Sequence, residues 1–123
     1  MTTATITTFR AKAPLTEIQF CAWVAQALPG DRLEYHRGFL VLDTFPGLSK
    51  LGDNERTELA LLGKRAFWAE SQGLVHLVQE RLGPDLFSYL AIARPKTCGT
   101  ADAVTQLAAV AELHLHAVDR VAH

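Results

Sequence analysis

ERTELALLGKRAFWAESQGLV, Glu55 to Val75, decides how the rest of the chain is read. With an ELA triplet, a central glycine and a GLV leading into apolar alternation, it has the look of a winged helix-turn-helix. Such a module needs two helices and a turn ahead of its wing, about 20 residues in all. Glu58 to Gln72 supplies 15. One amphipathic helix from about Asn54 to Gln72 uses the same residues without crowding, with Leu59, Leu62, Ala66 and Ala69 on one face and Gly73 as its stop. The single helix is the preferred reading, and a winged-helix-like hairpin is the alternative.

Working outward, LVHLVQERL and LFSYLAIAR flank Gly83-Pro84-Asp85, the pattern of an antiparallel hairpin. A link of that length sets Gln79 opposite Tyr89 and Arg81 opposite Phe87. Before the central helix, Thr16 and Gln19 have capping-box spacing, and Leu15 and Phe20 occupy the two positions of a hydrophobic staple. Ile18, Cys21 or Ala22, Ala25 and Leu28 then recur at helical spacing until Pro29-Gly30 stops the helix. Arg32 to Thr44 reads as a strand, and FPGLSKLGD (45–53) as loop. A last helix covers 101–121. The order helix-strand-helix-strand-strand-helix predicts an α+β domain over 15–123, with helices packed on a small antiparallel sheet. Residues 1–14, rich in Thr and Ala, are expected to be a flexible arm or a short edge strand.

A chain of 123 residues with 49% apolar and 20% charged side chains is enough for one core. The net charge of −1 lacks the basic excess with which dedicated nucleic-acid binders neutralise phosphate. No secretory h-region and no apolar run of membrane-spanning length is read, so a cytoplasmic location and no membrane partner are expected. Two cysteines, Cys21 and Cys98, are too few for a disulfide framework and are expected to be reduced.

Candidate functional residues fall in three groups. Tyr35, His36 and Arg37, in the middle of the first long strand, form a recognition patch at a surface or sheet edge, or else decorate a half-buried strand. Gly38 beside them permits a turn or a bulge. Lys64 and Arg65 on the central helix, with Gln79, Arg81, Arg94 and Lys96 on and after the hairpin, could bind a protein or, with Phe87 and Tyr89 as stacking surfaces, a nucleic acid. The last helix carries two apolar stripes, Val104, Leu107, Ala111, Leu115, Val118 and Val110, Leu113, Ala117, Val121, one more than a single core needs; a homodimer through this helix is expected. On its polar face Glu112, His116, Asp119 and His123 have the spacing of weak metal ligands or of ordinary helix-supporting pairs. No nucleophile with its base, Walker loop, HExxH or paired CxxC occurs, so neither catalysis nor a cofactor is expected.

PGDRLEYHRGFLVLD (29–43) and GLVHLVQERLGPDLFSYLAIAR (73–94) resemble small uncharacterised proteins found in phages and prophages of proteobacteria, over roughly residues 15 to 95. The resemblance carries no catalytic residues. It implies a phage-associated, non-enzymatic accessory protein that meets a host or phage protein, one form of which is an anti-CRISPR inhibitor of a host defence nuclease. A nucleic-acid-binding transcriptional regulator is the alternative.

Overall fold

The computed structural model describes residues 8–10 and 14–121, with side chains from 14 to 111. Of the expected amino-terminal arm, Thr8–Arg10 forms a short strand, β1, and the remainder up to 13 lies outside the described residues. Then come α1 (Glu17–Gln26), β2 (Arg32–Gly38), α2 (Leu40–Asp43), α3 (Asp53–Ser71), β3 (Val75–Gly83), β4 (Leu86–Ala93), a 3-10 turn (Cys98–Thr100) and α4 (Ala101–Val121). The sheet order is β1-β2-β4-β3, with β1 parallel to β2 and the other pairs antiparallel. This is an α+β fold whose antiparallel part is the three strands β2, β4 and β3.

Local signals account for much of it. The Thr16 hydroxyl accepts from Gln19 N–H at 3.1 Å, while the Gln19 side chain accepts from Thr16 N–H at 2.9 Å, closing the capping box of α1. α3 runs unbroken for 19 residues, so the two-helix reading of this segment is excluded. The hairpin pairs Gln79 with Tyr89 and Arg81 with Phe87, as its link length requires. Its turn places Asp85 at φ 53°, the left-handed conformation that Asp tolerates better than most residues.

Two expectations fail at helix and strand ends. The buried face of α1 is Phe20, Cys21 and Val24, continued by Ala27, and Leu28 is exposed. The helix stops at Gln26 because Ala27 is extended (φ −64°, ψ 142°), and Leu28 then joins a turn in which its N–H donates to Asp31 Oδ2. The strand expected over 32–44 ends at Gly38, and Leu40–Asp43 turns into helix instead.

Phe20, Leu33, Leu62 and Leu107, from α1, β2, α3 and α4, are fully buried in one cluster with Val24, Val75 and Ala91. Burying each such large side chain stabilises the fold by about 1.5–3 kcal/mol relative to leaving it in water. Leu33 pairs with Ala91, and Ala91 with Leu77, so these positions share the face on which the helices lie.

Two chemical probes test this core. Cys21 is buried, and desolvation pushes its thiol above the usual range, whereas Cys98 is exposed. Native protein should therefore release one equivalent of thiol to an aromatic disulfide reagent, and unfolded protein two. Tyr35 is 7% exposed, and burial first, then the neighbouring Tyr89 and Glu70, pushes its phenol up to about 12. A phenol held neutral in the fold but ionising near 10 when unfolded contributes stability below pH 10 that is lost as pH rises towards 12. A two-unit shift corresponds to about 2–3 kcal/mol. Denaturant midpoints measured from pH 9 to 12 should fall over that window, and Tyr35→Phe should flatten the fall.

Candidate functional site

The segment from Tyr35 to Leu51 holds the least ordinary surface of the protein. It begins with a register shift between Glu34 and His36 that makes Tyr35 an extra residue in β2. Without the shift, Leu33, Tyr35 and Arg37 would share one face. With it, His36 lies opposite Tyr89 on the helix-covered face, and Arg37 lies opposite Ser88 on the other, beside Glu34. Tyr35 is therefore core, edge-on to Phe20 at 6.0 Å between ring centres, and is not part of an exposed patch. The Arg37 guanidinium donates to Glu34 Oε2 at 2.9 Å, and Ser88 donates to the same oxygen.

After the bulge the strand is terminated chemically. Gly38 sits at φ 149°, and a Cβ there would lie 2.5 Å from Asp43 Oδ2. That oxygen accepts from Phe39 N–H at 3.0 Å and stands 2.7 Å from His36 Nε2, an imidazole–carboxylate hydrogen bond. Tyr89 OH accepts from Leu40 N–H at 3.0 Å. Thr44 Oγ1 donates to Leu40 O at 2.8 Å, and Ser49 Oγ donates to Asp43 O at 2.6 Å while accepting from Leu51 N–H. Leu40 Cδ2 lies beside Gly63 of α3, 3.8 Å from where a Cβ on that glycine would stand.

The outcome inverts the usual arrangement of a surface loop. The polar side chains Asp43, Thr44 and Ser49 are turned inward and used as staples, while Val41, Phe45 and Leu48 stand 66%, 53% and 63% exposed, with Leu42 beside them. An ordinary surface loop exposes its polar groups and hides what apolar ones it has, and here that choice is reversed. Sequence reading passed over it, because apolar β-formers at 39–42 resemble strand and FPGLSK resembles loop. The available signal was Asp43, Thr44 and Ser49 interleaved with Val41, Phe45 and Leu48.

The other candidates are dispersed. Lys64 is exposed on α3, whereas Arg65 is half-buried, with Nε 3.8 Å from Glu17 Oε2 and its guanidinium 5.1 Å above the Trp68 ring. Lys96 Nζ donates to Ala27 O at 2.6 Å and so closes the end of α1. Gln79 and Arg81 are exposed at one end of the hairpin and Arg94 at the other. Arg94 stands seven positions along the chain from Phe87, which pairs with Arg81, roughly 23 Å at ~3.3 Å per residue. Phe87 and Tyr89 pack beneath Phe39 and α2 rather than offering flat faces to solvent. On α4, Val104 and Val110, from different apolar stripes, both pack against the core cluster. The side chains of Glu112, His116, Asp119 and His123 lie outside the described residues, among which no group of three His, Cys, Asp or Glu is placed to hold a metal.

A cleft of about 390 Å³ opens between β2 and the first turns of α1 and α3, lined by Leu15, Tyr35, His36, Arg37, Glu55 and Glu58 among others. Glu58 Oε1 accepts from Glu17 N–H at 3.1 Å, so this carboxylate caps α1 across the cleft.

The staple is testable by unfolding. Asp43→Ala strands Phe39 N–H and the imidazole of His36, and should cost about 1–3 kcal/mol. Gly38→Ala should cost a similar ~1–3 kcal/mol through backbone strain and the clash with a carboxylate that is held in place. Both are read as a lower urea midpoint at unchanged slope, with Asp43→Asn, which keeps one acceptor oxygen, losing less. No protein-family model, no curated protein and no solved structure matches the chain.

Proposed function

We propose that this chain is a non-enzymatic accessory protein of phage origin that acts by binding another protein, in the form of an inhibitor of a host defence nuclease of the anti-CRISPR kind. The observation that carries the protein-binding reading is the knuckle of α2 and its following turn. Four apolar side chains face outward there while every polar side chain between Asp43 and Ser49 is committed inward. Such preorganisation lowers the entropic cost of docking, since the contact residues are already fixed before the partner arrives. The phage setting rests on the resemblance of 29–43 and 73–94 to proteins of phages and prophages.

A nucleic-acid regulator is the weaker reading. Its cations are spread over both ends of the hairpin, and Arg65 and Lys96 are engaged within the fold. The homodimer belongs to the proposal through the length of α4. At 21 residues it runs for about 31 Å, roughly twice the length of the ten-residue α1 that it packs on. No described helix is long and apolar enough to cross a membrane.

The test pairs capture with a surface variant. Phe45→Ser/Leu48→Ser should keep the free energy of unfolding in urea within ~0.5 kcal/mol of wild type, because both side chains are exposed. From host lysate, wild type should enrich a protein at least about tenfold over the variant, the difference expected when a hot-spot contact of 1.4 kcal/mol or more is lost. That protein, once purified, should show the same ratio. Equal capture by both forms, or salt-sensitive binding of mixed-sequence oligonucleotides by wild type alone, would remove the proposal.

A further inference from the structure

β3 is an outer strand of the sheet, with β4 on one flank. The bond from Arg94 N–H to Leu74 O, 3.0 Å, fixes the direction of its backbone groups. Leu74 and Arg94 form a hydrogen-bonded pair, so by antiparallel alternation Val75, Leu77, Gln79 and Arg81 turn their N–H and C=O groups away from β4. A row of that length is a template for a further strand. Among the described residues, one group in it is occupied. Leu77 N–H donates to Glu70 Oε2 at 2.9 Å, the carboxylate reaching across from the last turn of α3.

We infer that the outer edge of β3 is a latent strand-pairing surface for the same edge of a second copy of this chain, held shut by Glu70. The sequence of the strand selects the register. With a two-fold axis through Val78, Leu77 of each copy exchanges backbone bonds with Gln79 of the other, and Val75 does so with Arg81. On the sheet face away from the helices, Val78 then meets its own copy and His76 stands opposite Glu80, twice. Aromatic, β-branched and complementary polar pairs of this kind support antiparallel strands. An axis through Glu80 instead sets two carboxylates face to face, which opposes pairing. The favourable register needs Leu77 N–H, the one outward donor that Glu70 holds. A carboxylate at an exposed edge is a recognised defence against unwanted pairing, and here it sits at the position where pairing would be best.

The experiment is sedimentation velocity of the full chain over a hundredfold range of concentration. Glu70→Ala should form a species of twice the wild-type mass, at concentrations at least about tenfold below any at which wild type does so. Glu70→Gln, whose amide oxygen still accepts from Leu77 N–H, should sediment as wild type. Gln79→Pro added to Glu70→Ala removes an outward N–H without touching the ladder to β4, and should abolish the doubling. Where wild type is a dimer through α4, each dimer presents two such edges, so the expected species has at least twice the wild-type mass. Glu70→Lys removes the acceptor in a second way and decides the matter if the alanine variant does not fold by circular dichroism. Folded variants lacking the acceptor that sediment as wild type would overturn the inference, as would a doubled species indifferent to Gln79→Pro.

Discussion

One carboxylate oxygen governs the course of the chain between β2 and α3. Asp43 Oδ2 takes Phe39 N–H and the His36 imidazole together, and so ends β2, starts α2 and fixes the angle at which the chain leaves the sheet. Gly38 is where it is because that oxygen fills the space a side chain would need. The Tyr89 hydroxyl, the Ser49 hydroxyl and the Leu40–Gly63 contact then lock the same turn against β4 and α3. A hydrogen bond to a carboxylate is worth more than one between neutral groups, and this one, part-buried at the start of a turn, has every later residue depending on it.

The sequence exposes structure well where the determinants are close together. Thr16 with Gln19 marks the start of α1, the Gly83-Pro84-Asp85 link sets the hairpin register, and the 15 residues from Glu58 to Gln72 leave room for one helix. All of these act over a few residues. The end of β2 is different. Phe39, Leu40, Val41 and Leu42 have the composition of a strand, and what overrides it is a carboxylate folding back together with a hydroxyl from 49 residues away. Propensity is a weak prior against such tertiary contacts. The shift at Tyr35 leaves no mark in composition either, yet it exchanges the faces of His36 and Arg37 and so parts Arg37 from Tyr35, which strict alternation would have set on one face. Leu28 escapes for a similar reason, since helical spacing holds only while Ala27 remains helical.

The candidate site was thus hidden by being built from ordinary residues in an inverted role. Phe45 and Leu48 would be unremarkable in a core, and Asp43, Thr44 and Ser49 unremarkable in a solvated loop. Their exchange of places carries the information, and it is visible only when hydrogen-bond direction and exposure are known for each. The basic residues show the converse. Taken by type, they suggest a nucleic-acid surface; placed on the fold, Lys96 closes a helix end and Arg65 is held by Glu17 and Trp68.

The anchoring of α2 to Tyr89 also sets when the knuckle comes into being during synthesis. Val41, Phe45 and Leu48 leave the ribosome well before Phe87 and Tyr89, and until β4 has joined β2 there is no hydroxyl for Leu40 N–H and no aromatic floor under Phe39. A nascent chain therefore carries these apolar side chains unmoored, and their final arrangement arrives only with the closing of the sheet. The knuckle and the sheet are completed in the same step, so a chain cut before β4 has neither the hydroxyl nor the aromatic ring that hold α2 in place.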